Sequence, residues 1–227
     1  MTKENKWKMA FRTIILDFDG TVADTRQSIT ETVIKTLQTL GVNAPDKSAI
    51  QDVIGLPLRD TFVKAAGITD ECLIAQAVKI YRELYSDICQ KTIKLFPDVS
   101  ETLERLYNNG VIIAIASSKG RNALVELLGF LNISHYITCV LGEQDVKNKK
   151  PAPDMIIQIL TQTNTDVNNA LVVGDTCYDI LMGQNAGCCT CGVSYGNHSV
   201  EQLQTQGANY IIDNFSQLLE IMQIEAK

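Results

Sequence analysis

Histidine and tryptophan are nearly absent from this chain, with two of the first and one of the second in 227 residues. Neither His135 nor His198 has metal-ligand spacing with the cysteines, so a structural zinc site is not expected. The seven cysteines lack paired spacing, and Cys188, Cys189 and Cys191 crowd into one apolar run. The chain is also longer than the small secreted domains that depend on disulfides, so reduced thiols in a cytoplasmic protein are expected. Positive charge is scarce as well, with 20 Lys and Arg against 26 Asp and Glu and a formal net charge of -6. That balance removes the broad positive field needed to bind nucleic acid or an anionic membrane. No apolar run approaches the ~20 residues of a membrane span. The opening MTKENKWKM is polar and lacks the apolar stretch of a signal peptide, so residues 1–10, Trp7 included, read as a flexible leader. There is no internal repeat and no low-complexity segment.

What remains is the composition of an ordinary globular protein, 45% hydrophobic and 20% charged, long enough for one core carrying an insertion. Short apolar runs rich in β-branched residues recur at Thr13–Leu16, Val111–Ala116, Thr138–Leu141, Ala170–Val173 and Thr190–Val193, each reading as a buried strand. Stretches of helical periodicity separate the later ones. In Val99–Asn109, for example, Val99, Leu103, Leu106 and Tyr107 share a face, and Asp98 with Glu101 forms a possible capping box. Strands alternating with helices predict an α/β fold, a doubly wound parallel sheet covered on both faces.

From about Thr25 to Leu95 the alternation stops, and the pattern is helical with no convincing strand. Ile29, Val33, Leu37 and Leu40 line one helix face, with Gly41 as a left-handed stop. Asp70 can cap a second helix that runs through Ile74, Val78, Tyr81 and Tyr85. The predicted division is a core of residues 1–24 and 95–227 and a helical insert of residues 25–94.

Ligands of open parallel sheets bind beyond the carboxyl ends of the strands. Reading those ends gives Asp17, Asp19 and Gly20 after the first run, Ser117, Ser118 and Lys119 after the second, and Asp175 and Asp179 after the fourth, with Lys150 ahead of a helix. In an extended segment residues two apart face the same way, so Asp17 and Asp19 can address one substrate. Gly20 permits a tight turn with the backbone close to a ligand. Neighbouring carboxylates repel unless they share a proton or a cation, and Asp175 adds a third hard oxygen donor of the kind magnesium prefers. Each residue also has a plainer reading. Asp before Gly marks turns, Asp175 and Asp179 can complement a helix dipole, Ser117 can cap a helix, and a lysine run is usually a solvated face. Pro151 and Pro153 distinguish Lys150 from Lys147 and Lys149 as the lysine fixed beside a helix start, a phosphate clamp when taken with the acids. In IGLPLRD, Arg59 follows a Gly55–Pro57 turn and is a candidate for a second anionic group on a substrate, or else an exposed helix-start arginine.

Four segments in order, LDFDGT, IAIASS, KKPAPD and VVGDTCYDI, make the sequence resemble the haloacid dehalogenase superfamily, specifically its phosphatases with a helical cap inserted after the first strand. The resemblance implies that Asp17 attacks phosphorus to form an aspartyl-phosphate while Asp19 protonates the leaving oxygen and then activates water. It implies Mg2+ held by Asp17, the backbone carbonyl of Asp19 and Asp175, with Asp179 as a ligand or just behind, and a phosphoryl group bound by Ser117, Ser118, Lys150 and the turn at Gly20. A halide leaves without a proton, so the acid at Asp19 argues against dehalogenation. Ser117–Ser118 departs from the phosphatases that carry Thr-Asn there, KPAPD is similar to hexose-phosphate mutases, and GDTCYD to phosphoglycolate and pyrophosphate phosphatases. The expected activity is hydrolysis of a small phosphorylated metabolite. A β-phosphoglucomutase-like mutase, an inorganic pyrophosphatase and a non-catalytic binding protein are the alternatives. A monomer or weak homo-oligomer is expected.

Overall fold

A computed structural model describes residues 11–224, so the expected leader and Trp7 lie outside the described residues. The elements in order are β1 (Thr13–Leu16), β2 (Ala23–Asp24), α1 (Arg26–Thr39), α2 (Lys47–Gln51), α3 (Leu58–Ala66), α4 (Glu71–Thr92), β3 (Lys94–Leu95), α5 (Val99–Asn108), β4 (Ile112–Ala116), α6 (Arg121–Phe130), β5 (Cys139–Leu141), α7 (Asp154–Thr163), β6 (Ala170–Gly174), α8 (Cys177–Asn185), β7 (Cys189–Val193), α9 (Val200–Thr205), β8 (Tyr210–Ile212) and α10 (Leu218–Ile221). Six strands form one parallel sheet in the order β5-β4-β1-β6-β7-β8.

The sheet is buried on both faces, which is why its strands read as continuous apolar runs. Ile14 and Leu16 of β1, Ile113 and Ile115 of β4, and Leu171 and Val173 of β6 join one core cluster. Ile15, Ala114, Ala116, Ala170 and Val172 join the other. That two-residue alternation places one apolar layer on each side of the sheet. The five expected strands agree with β1, β4, β5, β6 and β7 to within a residue at each end. Short β8 was not anticipated.

The register fixes the level of the strand ends. Leu16 of β1 lies opposite Ile115 of β4 and Val173 of β6, so Asp17 emerges level with Ala116 and Gly174. The Asp17 N–H still donates to the Val173 carbonyl at 2.9 Å, and the Ser117 N–H to Leu141 at 3.1 Å. The first residues past β1 and β4 are thereby presented along one edge by main-chain bonds.

Helices α1 to α4 fill the stretch between β2 and β3. Ile29, Val33 and Leu37 of α1 pack with Phe62, Ile74, Ala77, Tyr81 and Tyr85. Gly41 takes the left-handed φ of 69° expected at the stop after α1, and the Asp70 carboxylate accepts from the Cys72 and Leu73 amides to cap α4. The expected insert is not purely helical, however. β3 pairs antiparallel with β2, Ala23 opposite Leu95 and Asp24 opposite Lys94, clipping together the two chain segments that flank the helices. Two residues per strand are too few to leave a sequence pattern. The capping box at α5 also fails. Asp98 adopts φ 63° and makes no side-chain bond to its helix, its carboxylate accepting instead from Ser216 Oγ at 3.2 Å.

Among the described residues no helix is long and apolar enough to cross a membrane. All seven cysteines are free thiols. Burial pushes Cys188 up to about 11 and Cys191 up to about 12, and Cys89 is also buried, whereas Cys72 is exposed. In a thiol-reagent titration at pH 8, Cys72 should react first and Cys89, Cys188 and Cys191 only after denaturant is added. Equal rates for all of them would contradict this core.

Candidate active site

Three carboxylates meet at the carboxyl edge of the sheet. Asp17, Asp175 and Asp179 each bring an oxygen within 4.8 Å of the others, and all three are buried. Asp17 continues β1, Asp175 continues β6, and Asp179 lies in the first turn of α8. Asp179 takes its helix-start reading and also reaches Lys150. Its Oδ2 accepts from the Thr176 N–H at 3.0 Å and hydroxyl at 2.6 Å, closing the capping box of α8, while Oδ1 faces Lys150.

Lys150 Nζ donates to Asp17 Oδ1 at 2.7 Å and to Asp179 Oδ1 at 2.6 Å, and the residue is buried. Lys149 instead runs to Glu143 at 3.1 Å, so the distinction drawn at the two prolines holds. One ammonium among three carboxylates leaves an excess of negative charge. Burial pushes the Asp17 carboxyl up, to about 7, against the pull of Lys150 and with Asp179 and Asp19 adding repulsion. Burial raises Asp175 well above the usual range too, with Asp179 and Asp17 contributing and the Asn197 hydrogen bonds opposing. For Lys150 burial alone would lower the pKa, but Asp17 and Asp179 outweigh it and hold the ammonium protonated. Hard oxygen donors, a surplus of negative charge and exclusion of water fit a divalent cation such as magnesium.

Asp19 sits apart from this cluster. Its Oδ2 pairs with Lys119 at 3.1 Å, and its buried Oδ1 has no hydrogen-bond partner. Lys119 also donates to the Tyr85 hydroxyl at 3.0 Å and lies 4.2 Å from that ring's centre, joining Asp19 to α4. Asp17, Asp19, Ser117, Ser118 and Lys119 open onto a cavity of about 350 Å³ whose opposite wall, with Ile54, Leu58, Tyr81 and Arg82, comes from the helical stretch.

Several expected residues are placed differently. Gly20 has φ 86°, and a Cβ there would collide with Asp175. Its own N–H is engaged by the Ala23 carbonyl at 2.9 Å, as in the tight turn expected there. The Ser118 hydroxyl donates to the Gly55 carbonyl at 2.8 Å and so ties the core to the helical stretch, whereas Ser117 is buried on the cavity wall. Arg59 takes the plainer of its two readings, an exposed helix-start arginine. It is about half exposed, pairs with Glu71 and Asp60 on its own surface, and is not among the cavity-lining residues. The arginine that does line the cavity is Arg82, bonded to Glu143 at 3.3 Å. Sequence reasoning missed Arg82 and Asn197, and named Lys119 at its strand end without giving it a role. Lys119 alone carried a signal, as the third residue past β4.

The family model of the haloacid dehalogenase-like hydrolases matches residues 14–193, which takes in every residue of this cluster. The chain belongs to that family. It is accordingly an enzyme, a hydrolase with a Rossmann-like α/β core. A curated relative from Dickeya dadantii, described as the probable phosphatase IndB, is 33% identical over 91% of this chain and 91% of its own. The phosphoglycolate phosphatase of Vibrio parahaemolyticus is 27% identical over 94% and 96%. Among solved structures, a haloacid dehalogenase-like hydrolase from Streptococcus pneumoniae superposes with a TM-score of 0.83 at 26% identity, covering 93% of this chain and 98% of that one.

The charge balance predicts opposite responses in metal-free protein. Lys150→Met leaves Asp17 and Asp179 buried without their cation and should destabilise by about 3–5 kcal/mol. Asp175→Asn removes a group that burial and its acidic neighbours disfavour in charged form and should stabilise. Urea unfolding in EDTA measures both, and a stabilising Lys150→Met would contradict the electrostatic reading.

Proposed function

We propose that this hydrolase is a magnesium-dependent phosphatase that releases phosphate from a small phosphomonoester through an aspartyl-phosphate on Asp17. The observation that carries the reading is the buried Asp17–Lys150–Asp179 contact with Asp175 alongside, where Asp17 itself opens onto a cavity that also presents Ser117 and Asp19. Asp17, Asp175 and the backbone carbonyl of Asp19 would hold Mg2+, with Asp179 beside them. When bound, that ion supplies positive charge that favours the ionised Asp17 carboxylate and offsets charge on the phosphoryl oxygens.

Lys150 occupies Asp17 Oδ1, which leaves Oδ2 to attack phosphorus in line with the leaving oxygen. Asp19, two residues on, donates a proton to that oxygen as the ester bond breaks. Ser117 and Lys150 bind the oxygens of the transferring group, where transition-state charge is spread. Asp19, now a carboxylate, then takes a proton from water as the water attacks phosphorus, and Asp17 is regenerated. We further propose that residues 25–94 form a cap whose α4 wall selects the leaving group. The cavity's modest volume and its mixture of apolar and polar lining support a small metabolite.

The test is phosphate release from a panel of small phosphomonoesters. Activity should need Mg2+ and vanish with EDTA, Asp17→Asn should reduce it to background, and Asp19→Asn should lower kcat by ~10²–10⁴-fold. Unchanged turnover by Asp17→Asn would overturn the mechanism. Isomer formation exceeding phosphate release would mark a sugar-phosphate mutase instead.

A further inference from the structure

We infer that Asn197 is a positioning residue for Asp175, fixing one carboxylate oxygen so that the other stays available to the magnesium ion, an inference that rests on the proposed magnesium chemistry of the same site. Asp175 is fully buried, and both of its strong hydrogen bonds go to one atom. Oδ2 accepts from the Asn197 backbone N–H at 2.8 Å and from its side-chain Nδ2 at 2.7 Å. Oδ1 receives only a long bond from the Thr21 hydroxyl, at 3.4 Å. A carboxylate offers about four acceptor positions, and here the spare capacity is concentrated on Oδ1.

The Asn197 amide cannot turn the other way. Arg26 Nε donates to its Oδ1 at 3.1 Å, and a guanidinium is a donor only, so the amide oxygen must face Arg26 and the NH2 must face Asp175. Arg26 also donates to the Gly196 carbonyl, holding the same loop. A side chain at Gly196 or at Gly20 would collide with the Asp175 carboxylate, so Asp175 is boxed in by backbone on two sides. The His198 N–H closes the loop on the Asp175 carbonyl at 3.2 Å.

The chemistry of the partner matters. Asp17 and Asp179 are paired with a cation in Lys150, whereas Asp175 is held by neutral amides that orient it without neutralising it. A carboxylate kept in place with no competing cation is what a metal-holding group requires, and such supporting contacts typically contribute 10–100-fold in metal affinity. Arg26 is the first residue of α1, so this support also reaches the point where the helical stretch leaves the core.

Calorimetric titration of metal-free protein with Mg2+ alone, together with phosphatase rates at rising Mg2+, separates the possibilities. Asn197→Ala should weaken Mg2+ binding by ~10-fold. Its activity should return as Mg2+ is raised, with KM for the phosphomonoester unchanged and the metal-free melting temperature close to that of wild type. Arg26→Ala should show the same pattern with a smaller loss. Asn197→Ala binding Mg2+ as tightly as wild type would overturn the inference while leaving the magnesium mechanism standing. If Asn197→Ala does not fold, the exposed Arg26→Ala decides, and an unchanged Mg2+ affinity there overturns it. Wild-type protein that binds no Mg2+ and hydrolyses phosphomonoesters without it would contradict the magnesium reading itself.

Discussion

A single ammonium group bonded to two buried carboxylates is the constraint on which the rest of this site depends. Lys150 Nζ reaches Asp17 and Asp179 at 2.7 and 2.6 Å with almost no exposure to water. Three acids crowded within a few ångströms would otherwise repel one another or take up protons, and burial already drives Asp17 and Asp175 in that direction. The lysine partly compensates them and leaves an electrostatic deficit suited to a divalent cation. Stability and chemistry are therefore opposed here, since the arrangement that makes the metal-free site strained is the one that makes it a cation and phosphate site.

The sheet delivers these groups with little freedom. Parallel register sets the ends of β1, β4 and β6 level, so Asp17, Ser117 and Asp175 arrive at one edge before any side chain interacts. Elements beyond the sheet then orient them: the capping box of α8 fixes Asp179, and the Gly196–His198 loop encloses Asp175. Tyr85 of α4 bears on Lys119 and, through it, on Asp19. The second acid is thus the catalytic candidate most closely linked to the helical stretch.

Much of this was legible in the sequence because it is local. The apolar strands and the acids just past them follow a period of two, and the prolines after Lys150 single it out from its neighbours. Asp70 and Gly41 follow capping rules that act within one helical turn. Contacts made across space were not legible. Asn197 meets Asp175 from 22 residues away and Arg26 from 171. Arg59 kept two readings because a helix-start arginine has no local signal for which way it turns, and Glu71 twelve residues on holds it in the exposed one. Asp98 failed as a cap because its backbone entered the left-handed region and its carboxylate found Ser216.

The central claim is that Asp17 becomes phosphorylated during turnover. Acid quenching during steady-state hydrolysis, followed by borohydride reduction and peptide mass spectrometry, tests it directly, because reduction converts an aspartyl-phosphate to homoserine. The account predicts homoserine at position 17 and unmodified aspartate at positions 19, 175 and 179. Turnover with no reduced residue at Asp17, or with modification at another acid, would contradict it.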